Sequence, residues 1–243
     1  RESAELIKDG YSIFVKDLMA LGYVPEAVIN WIALMGWSYD DHTEFFTMKD
    51  LIEKFTLDKL NPSPAAINFT KLDYFNGMHI RALEKSDLAQ RLIPFFKAEG
   101  LEVTAEQLLP IIPIIQERLQ GLDDAPGLAG FFFRPFRKVS LEELIIKGES
   151  AETSAKIAVE VIAILEALGS MKMEDTEPAM RNYVEKNGYK AGQVFGLMRI
   201  AITGQRISPP LFESMEIIGR EEVLNRMKSA VETLGSGVLP PNQ

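Results

Sequence analysis

Gly192-Gln193-Val194-Phe195-Gly196-Leu197-Met198-Arg199-Ile200-Ala201-Ile202-Thr203-Gly204-Gln205-Arg206-Ile207-Ser208-Pro209-Pro210-Leu211-Phe212-Glu213 decides the reading of this chain. Its apolar residues recur at helical spacing up to Gly204, a residue suited to ending a helix. A short polar loop follows, and a second helix opens at Pro209-Pro210, since proline is tolerated where a helix starts. A basic residue, a Thr and a Ser gather around the junction. That grouping offers no catalytic constellation and, on its own, only a slight signal of RNA contact.

Outward from that stretch, the same helical period governs almost the whole chain. Ser154–Leu168 carries Ile157, Val161, Ile164, Leu165 and Leu168 on one face. Helices are expected at about 177–187, 191–203, 209–218 and 220–234. Toward the N-terminus the pattern predicts helices over 11–21, ending at Gly22, over Pro25–Trp37 and over Asn68–Leu83. Thr47 with Asp50, Thr104 with Gln107 and Ser140 with Glu143 have capping-box spacing. The helix opened by Thr104 is expected to run to about Leu122, with Pro110 and Pro113 bending its early part. Asp123–Gly130 reads as turn, and Glu44–Thr47 and Phe131–Phe133 as short extended pieces. Breaks in the periodicity near Leu83 and Lys138 divide the chain into 1–83, 84–138 and 139–243. Trp31 and Trp37 are expected in the core, and Gly235–Gln243 reads as a polar tail.

Composition bounds the function. The chain has 243 residues, 47% hydrophobic and 25% charged, as in globular proteins. It has no cysteine, which excludes disulfides and thiolate chemistry, and no run of about 18 apolar residues. With no export signal at Arg1–Gly10, a cytoplasmic location is expected, and the missing initiator Met reads as a fragment. Only two histidines occur, His42 and His79, in no metal-ligand spacing. No phosphate loop, dinucleotide fingerprint or serine elbow appears. Glu142-Glu143 and Glu221-Glu222 fall in expected first turns, where they favour the helix dipole. The net charge of −9 opposes bulk nucleic-acid affinity, so an RNA reader would need its cations gathered on one face. The most basic and aromatic window is Phe131-Phe132-Phe133-Arg134-Pro135-Phe136-Arg137-Lys138. Its rings and arginines would suit RNA, and linker anchoring is the favoured reading.

Three blocks carry a family resemblance. Gly22-Tyr23-Val24-Pro25-Glu26-Ala27-Val28-Ile29-Asn30-Trp31-Ile32-Ala33-Leu34-Met35-Gly36-Trp37-Ser38 resembles the segment after the Lys-Met-Ser-Lys signature loop of bacterial glutamyl-tRNA synthetases. Lys71-Leu72-Asp73-Tyr74-Phe75-Asn76-Gly77-Met78-His79-Ile80-Arg81 resembles the next block of that family, and Lys190–Glu213 the last. They occur in family order and cover essentially the whole chain. The resemblance implies an all-α fold, with a helical stem-contact domain (1–83) followed by two helical-bundle, α-helix-cage anticodon-binding domains (84–138 and 139–243). It implies tRNA(Glu) as partner, with tRNA(Gln) as a further candidate, no DNA, no membrane, and a monomer. It also implies an N-terminal catalytic domain absent from this chain, so ATP and magnesium belong to the full-length parent and no cofactor to the fragment.

Four positions match the family's anticodon readers. Arg118 matches an Arg at the third anticodon base that is associated with choosing glutamate over glutamine tRNA, whereas Gln there is associated with relaxed choice. Guanidinium donors suit the O2 and N3 acceptors of cytosine and disfavour uracil, whose N3 carries a proton. Arg199 matches a second anticodon-contacting Arg, with a carbonyl cap near Gly204 as its alternative. Ser208 and Pro209 match a Thr-Pro pair. Arg1, Lys8 and Lys16 are candidates for the inner side of the tRNA. Two competing readings remain. One is an acidic helical protein–protein scaffold. The other is a class I lysyl-tRNA synthetase, which the Gly22–Ser38 and Lys190–Glu213 blocks fit less well.

Overall fold

The computed structural model describes residues 14–61 and 67–236. Among them are helices, three short 3-10 turns and no strand; an isolated bridge pairs Trp37 with Leu60. The all-α expectation is met. The chain divides into two compact units, residues 1–127 and 128–243.

In the first unit the helices are α1 (Val15–Ala20), α2 (Pro25–Ala33), α3 (Met48–Lys54), α4 (Phe69–Ala82), α5 (Lys85–Ala98), α6 (Ala105–Leu108) and α7 (Ile112–Ile115). Helix α8 (Asp124–Ala129) carries the boundary between the units. Helices α2 and α4 pack together through Val24, Ala27, Val28 and Trp31 on one side and Leu72, Phe75 and Ile80 on the other, all buried. The indole of Trp31 donates to the Asn68 carbonyl (3.0 Å) and lies 5.5 Å from the Phe69 ring. Helix α2 ends at Ala33, short of the expected Trp37. A turn carries the chain to Trp37, which is buried against Phe46 and Leu51.

Buried amides tie the loops of this unit to its helices. Asn76 accepts from the Val24 amide (2.8 Å) and donates to the carbonyls of Gly22 (3.1 Å) and Gln120 (2.7 Å). Gly22 stands at φ +83°, and a Cβ there would lie 2.8 Å from the Leu122 backbone nitrogen, so only glycine fits. The Gln116 side chain donates to the carbonyls of Ile80 (2.9 Å) and Leu83 (2.9 Å), capping the C-terminal end of α4.

The expected helix from Thr104 to Leu122 is broken. Its capping box forms, but Pro110 has no N–H to donate, and the Ile111 amide reaches back only to the Leu108 carbonyl (2.8 Å). Helix α7 restarts with Pro113 in its first turn, and a 3-10 turn, Gln116–Arg118, closes the segment. Asp123–Gly130, read as turn, contains α8; Asp124 sits in its first turn, where a carboxylate favours the helix dipole, and also accepts from the amides of Gln120 (3.0 Å) and Gly121 (2.9 Å) in the loop before it. Residues 130–132 form a 3-10 turn rather than an extended piece.

The second unit holds α9 (Leu141–Leu144), α10 (Ala151–Leu168), α11 (Met173–Asn187), α12 (Ala191–Thr203), α13 (Leu211–Ile218) and α14 (Arg220–Ser236). Helices α10 and α14 form its central pair, with Ile157, Val161 and Leu165 against Val223, Met227 and Leu234 in one core. Caps set the boundaries. Ser140 and Glu143 close the expected box, and Ser150 caps α10 by accepting from the Thr153 amide (3.0 Å). Helices α10, α11 and α12 all end on a left-handed glycine, Gly169, Gly188 and Gly204.

His79, on α4, is buried, and its imidazole lies 4.5 Å from the Phe45 ring. Its Nε2 is 3.1 Å from the Asn30 side-chain oxygen, which also accepts from the Phe46 amide (3.0 Å). Burial lowers the His79 pKa, with the nearby Glu26 charge opposing. The unfolded chain therefore takes up this proton first, so the contribution is whole above about pH 6.5 and is lost as pH falls toward the folded pKa. Lowering pH from 7.5 to 5.5 should reduce the unfolding midpoint of the wild type, and His79→Gln should flatten that dependence. An identical slope in both proteins would contradict the assignment.

Candidate nucleic-acid interface

In the second unit, α12 delivers Arg199 to the junction with α13. Gly204 ends α12 at φ +69°, a conformation that L side chains adopt rarely. The last turn is tightened by Thr203, whose hydroxyl donates to the Arg199 carbonyl (2.8 Å) and accepts from the Gln205 amide (3.2 Å). The chain then turns through Arg206 and Ile207 to Ser208. Pro210, extended at ψ 132°, serves as N-cap, so α13 begins at Leu211 rather than at Pro209. Pro209 is itself followed by a proline, which disfavours the helical region there.

The Arg199 guanidinium holds this loop. Its Nη1 donates to the carbonyls of Pro209 (2.7 Å) and Ser208 (3.3 Å) and to the Ser208 hydroxyl. Ser208 is 3% exposed, and its hydroxyl also donates to the Pro209 carbonyl (3.1 Å). Three of the four residues matched from sequence, Arg199, Ser208 and Pro209, are thus brought together in one network. The carbonyls that Arg199 caps are those of Ser208 and Pro209. The Ser208 hydroxyl faces inward, so the surface of the loop belongs to its tip. Arg206 is exposed there, and Ile207 is 80% exposed. Sequence reading left these two unassigned. The available signal was a basic and an apolar residue side by side in a loop bounded by Gly204 and Pro209.

The fourth residue, Arg118, lies in the first unit, at the end of the 3-10 turn. It is exposed between two buried anchors: Gln116, bonded to the α4 carbonyls, and Leu119, fully buried. That alternation fixes where the guanidinium emerges. Lys16 is exposed, while Arg1 and Lys8 lie outside the described residues.

The acidic pairs serve structure. Glu142, Glu143, Glu221 and Glu222 all sit in first turns, and hydrogen bonds from Ser140 hold the Glu143 carboxyl below its usual range. Among the described residues no group of three His, Asp or Glu side chains is placed to hold a metal ion. No described helix is long and apolar enough to cross a membrane.

Comparison with known proteins gives the family. Residues 87–231 match the family model described as an anticodon binding domain, and residues 7–74 match that of the class I (E and Q) tRNA synthetase catalytic domain. The catalytic-domain match falls on the segment read from sequence as a stem-contact domain. A glutamate–tRNA ligase of Borreliella burgdorferi is 35% identical over 240 residues, covering 96% of this chain and 49% of the relative. One from Herpetosiphon aurantiacus is 38% identical over 229 residues, covering 91% and 46%. The crystal structure of a glutamate tRNA ligase from Elizabethkingia meningosepticum, in complex with its amino acid, superposes with a TM-score of 0.76 at 29% identity, over 88% of this chain and 42% of that one. The arrangement is that of an anticodon-binding domain of a class I synthetase. The chain belongs to the glutamyl-tRNA synthetase family. It spans about half the length of the curated relatives it matches.

Removing the guanidinium leaves the Ser208 and Pro209 carbonyls without their charged donor, a loss of about 2 kcal/mol for bonds of this kind. Arg199→Met should lower the unfolding midpoint in urea accordingly and speed amide exchange at Gln205–Ser208. Unchanged exchange in that loop would show that Arg199 does not hold it.

Proposed function

We propose that this chain reads the anticodon of tRNA(Glu), with tRNA(Gln) as a further candidate, on behalf of a longer protein that joins glutamate to tRNA using ATP and magnesium. The observation that carries the reading is the α12–α13 junction. Its loop is held from within by Arg199 and presents Arg206 and Ile207 outward, inside the segment matched as an anticodon binding domain. A pre-shaped loop loses little entropy on binding, and an unstacked anticodon base suits a surface that offers both a cation and an apolar face. Arg199, Ser208 and Pro209 then serve the anticodon by fixing the loop, and Arg118 serves the third base. We place the protein in the cytoplasm as a monomer.

The test is binding to transcripts of tRNA(Glu) and tRNA(Gln) over a salt series. Saturable binding that weakens with salt is expected, since phosphate contacts release counterions. Arg118→Gln should narrow the preference for tRNA(Glu) by about tenfold, the weight of one bidentate base contact, with little change in affinity for tRNA(Gln). An equal loss for both tRNAs would remove Arg118 from discrimination. No binding at physiological salt would instead favour the scaffold that the net charge of −9 suits.

A further inference from the structure

The window Phe131–Lys138 contains three cations and no carboxylate, and the reading above leaves it unused. In the second unit it lines a cleft of about 160 Å³ whose other wall is the Thr203–Gln205 turn, at the start of the Gly204–Pro210 loop. Arg134, Arg137 and Arg226 line this cleft, and no Asp or Glu does.

The three arginines are not equivalent. Arg226 is committed to the fold. It is 6% exposed, bonds Glu222 (2.7 Å) and the Ile202 carbonyl (2.7 Å), and lies 5.0 Å over the Phe136 ring. It neutralises its own partner and forms the floor. Phe136 packs against the core below, and Pro135 fixes φ beside it, so the backbone carrying Arg134 and Arg137 is anchored. Both of those arginines are exposed. Arg137 meets Glu143 only at 3.3 and 3.4 Å, with 70% of its side chain open to solvent. An exposed pair of this kind is worth roughly 0–1 kcal/mol, so an incoming anion displaces it at little cost. Glu143 meanwhile keeps its bonds with Ser140.

We infer that this cleft is a phosphodiester clamp, in which Arg134 and Arg137 hold the backbone of the RNA strand that leaves the Gly204–Pro210 loop. The inference rests on the anticodon reading and extends it. An acidic chain needs its cations where the RNA runs, and here two exposed guanidiniums stand on an anchored segment beside the reading loop. Contacts of this kind set affinity and register and carry no sequence information.

The test uses tRNA(Glu) transcripts, native and with a substituted anticodon, titrated against the wild type and an Arg134→Gln/Arg137→Gln variant over a salt series. Thermal melting confirms that these two exposed substitutions leave the fold intact. The expected result is binding weaker by about tenfold at moderate salt, with the slope of log K against log salt shallower by about 1.4, two single-strand phosphate contacts at roughly 0.7 each. The loss should be equal for both transcripts, and Arg134→Lys/Arg137→Lys should restore the slope. Wild-type affinity and slope in the Gln variant, while Arg206→Gln still weakens binding, would overturn the clamp and leave the anticodon reading standing. A changed preference between transcripts at unchanged slope would also overturn it. Absence of binding by the wild type would overturn both.

Discussion

A single guanidinium gives the Gly204–Pro210 loop its shape. The loop has no regular structure, and its two flanking helices fix only its ends. Arg199 reaches from the last turns of α12 and draws the carbonyls of Ser208 and Pro209 onto one nitrogen. Three conditions make this possible. Gly204 accepts a left-handed conformation, Thr203 seals the helix end by bonding to its own backbone, and Pro210 holds the chain extended until α13 starts. Ser208 is buried as a consequence, and the residues left outside are Arg206 and Ile207. In the proposed reading, this loop owes its shape to residues that face away from the RNA.

The acidity of the chain and the proposed reading of an anion are reconciled by placement. Glutamates sit in the first turns of α9 and α14, where they stabilise helix N-termini, or pair with cations one turn along. In the second unit, exposed cations stand at the Gly204–Pro210 loop, as Arg206, and along Arg134–Lys138, where no Asp or Glu lines the cleft. Net charge describes solubility and long-range behaviour, while binding follows the local field.

Much of this was legible from residues alone. Helical period, capping boxes and terminal glycines predicted most elements, because each acts within one or two turns. The failures have common causes. Pro110 broke a helix that its neighbours favoured, since a missing donor outweighs periodicity. A helix formed in a segment that composition marked as turn, with Asp124 in its first turn and its carboxylate holding the loop before it through the Gln120 and Gly121 amides. Family resemblance singled out Arg199, Ser208 and Pro209 as candidates, and the structure brings them together, but the inward direction of the Ser208 hydroxyl depends on a bond across nine residues that no spacing reveals. The exposure of Arg206 and Ile207 was not legible, because exposure, unlike periodicity, is not written locally. The buried hubs Asn76 and Gln116 were likewise invisible, since their partners lie 33 to 54 residues away.

The central claim is that the tip of the 204–210 loop faces an anticodon. A photo-crosslinking side chain in place of Ile207, with the full chain bound to tRNA(Glu), tests it most directly. Because Ile207 is 80% exposed, the substitution leaves the Arg199 network in place. The account predicts a crosslink confined to the nucleotides of the anticodon loop. Crosslinks in the acceptor arm, or none under conditions where the tRNA is bound, would contradict it.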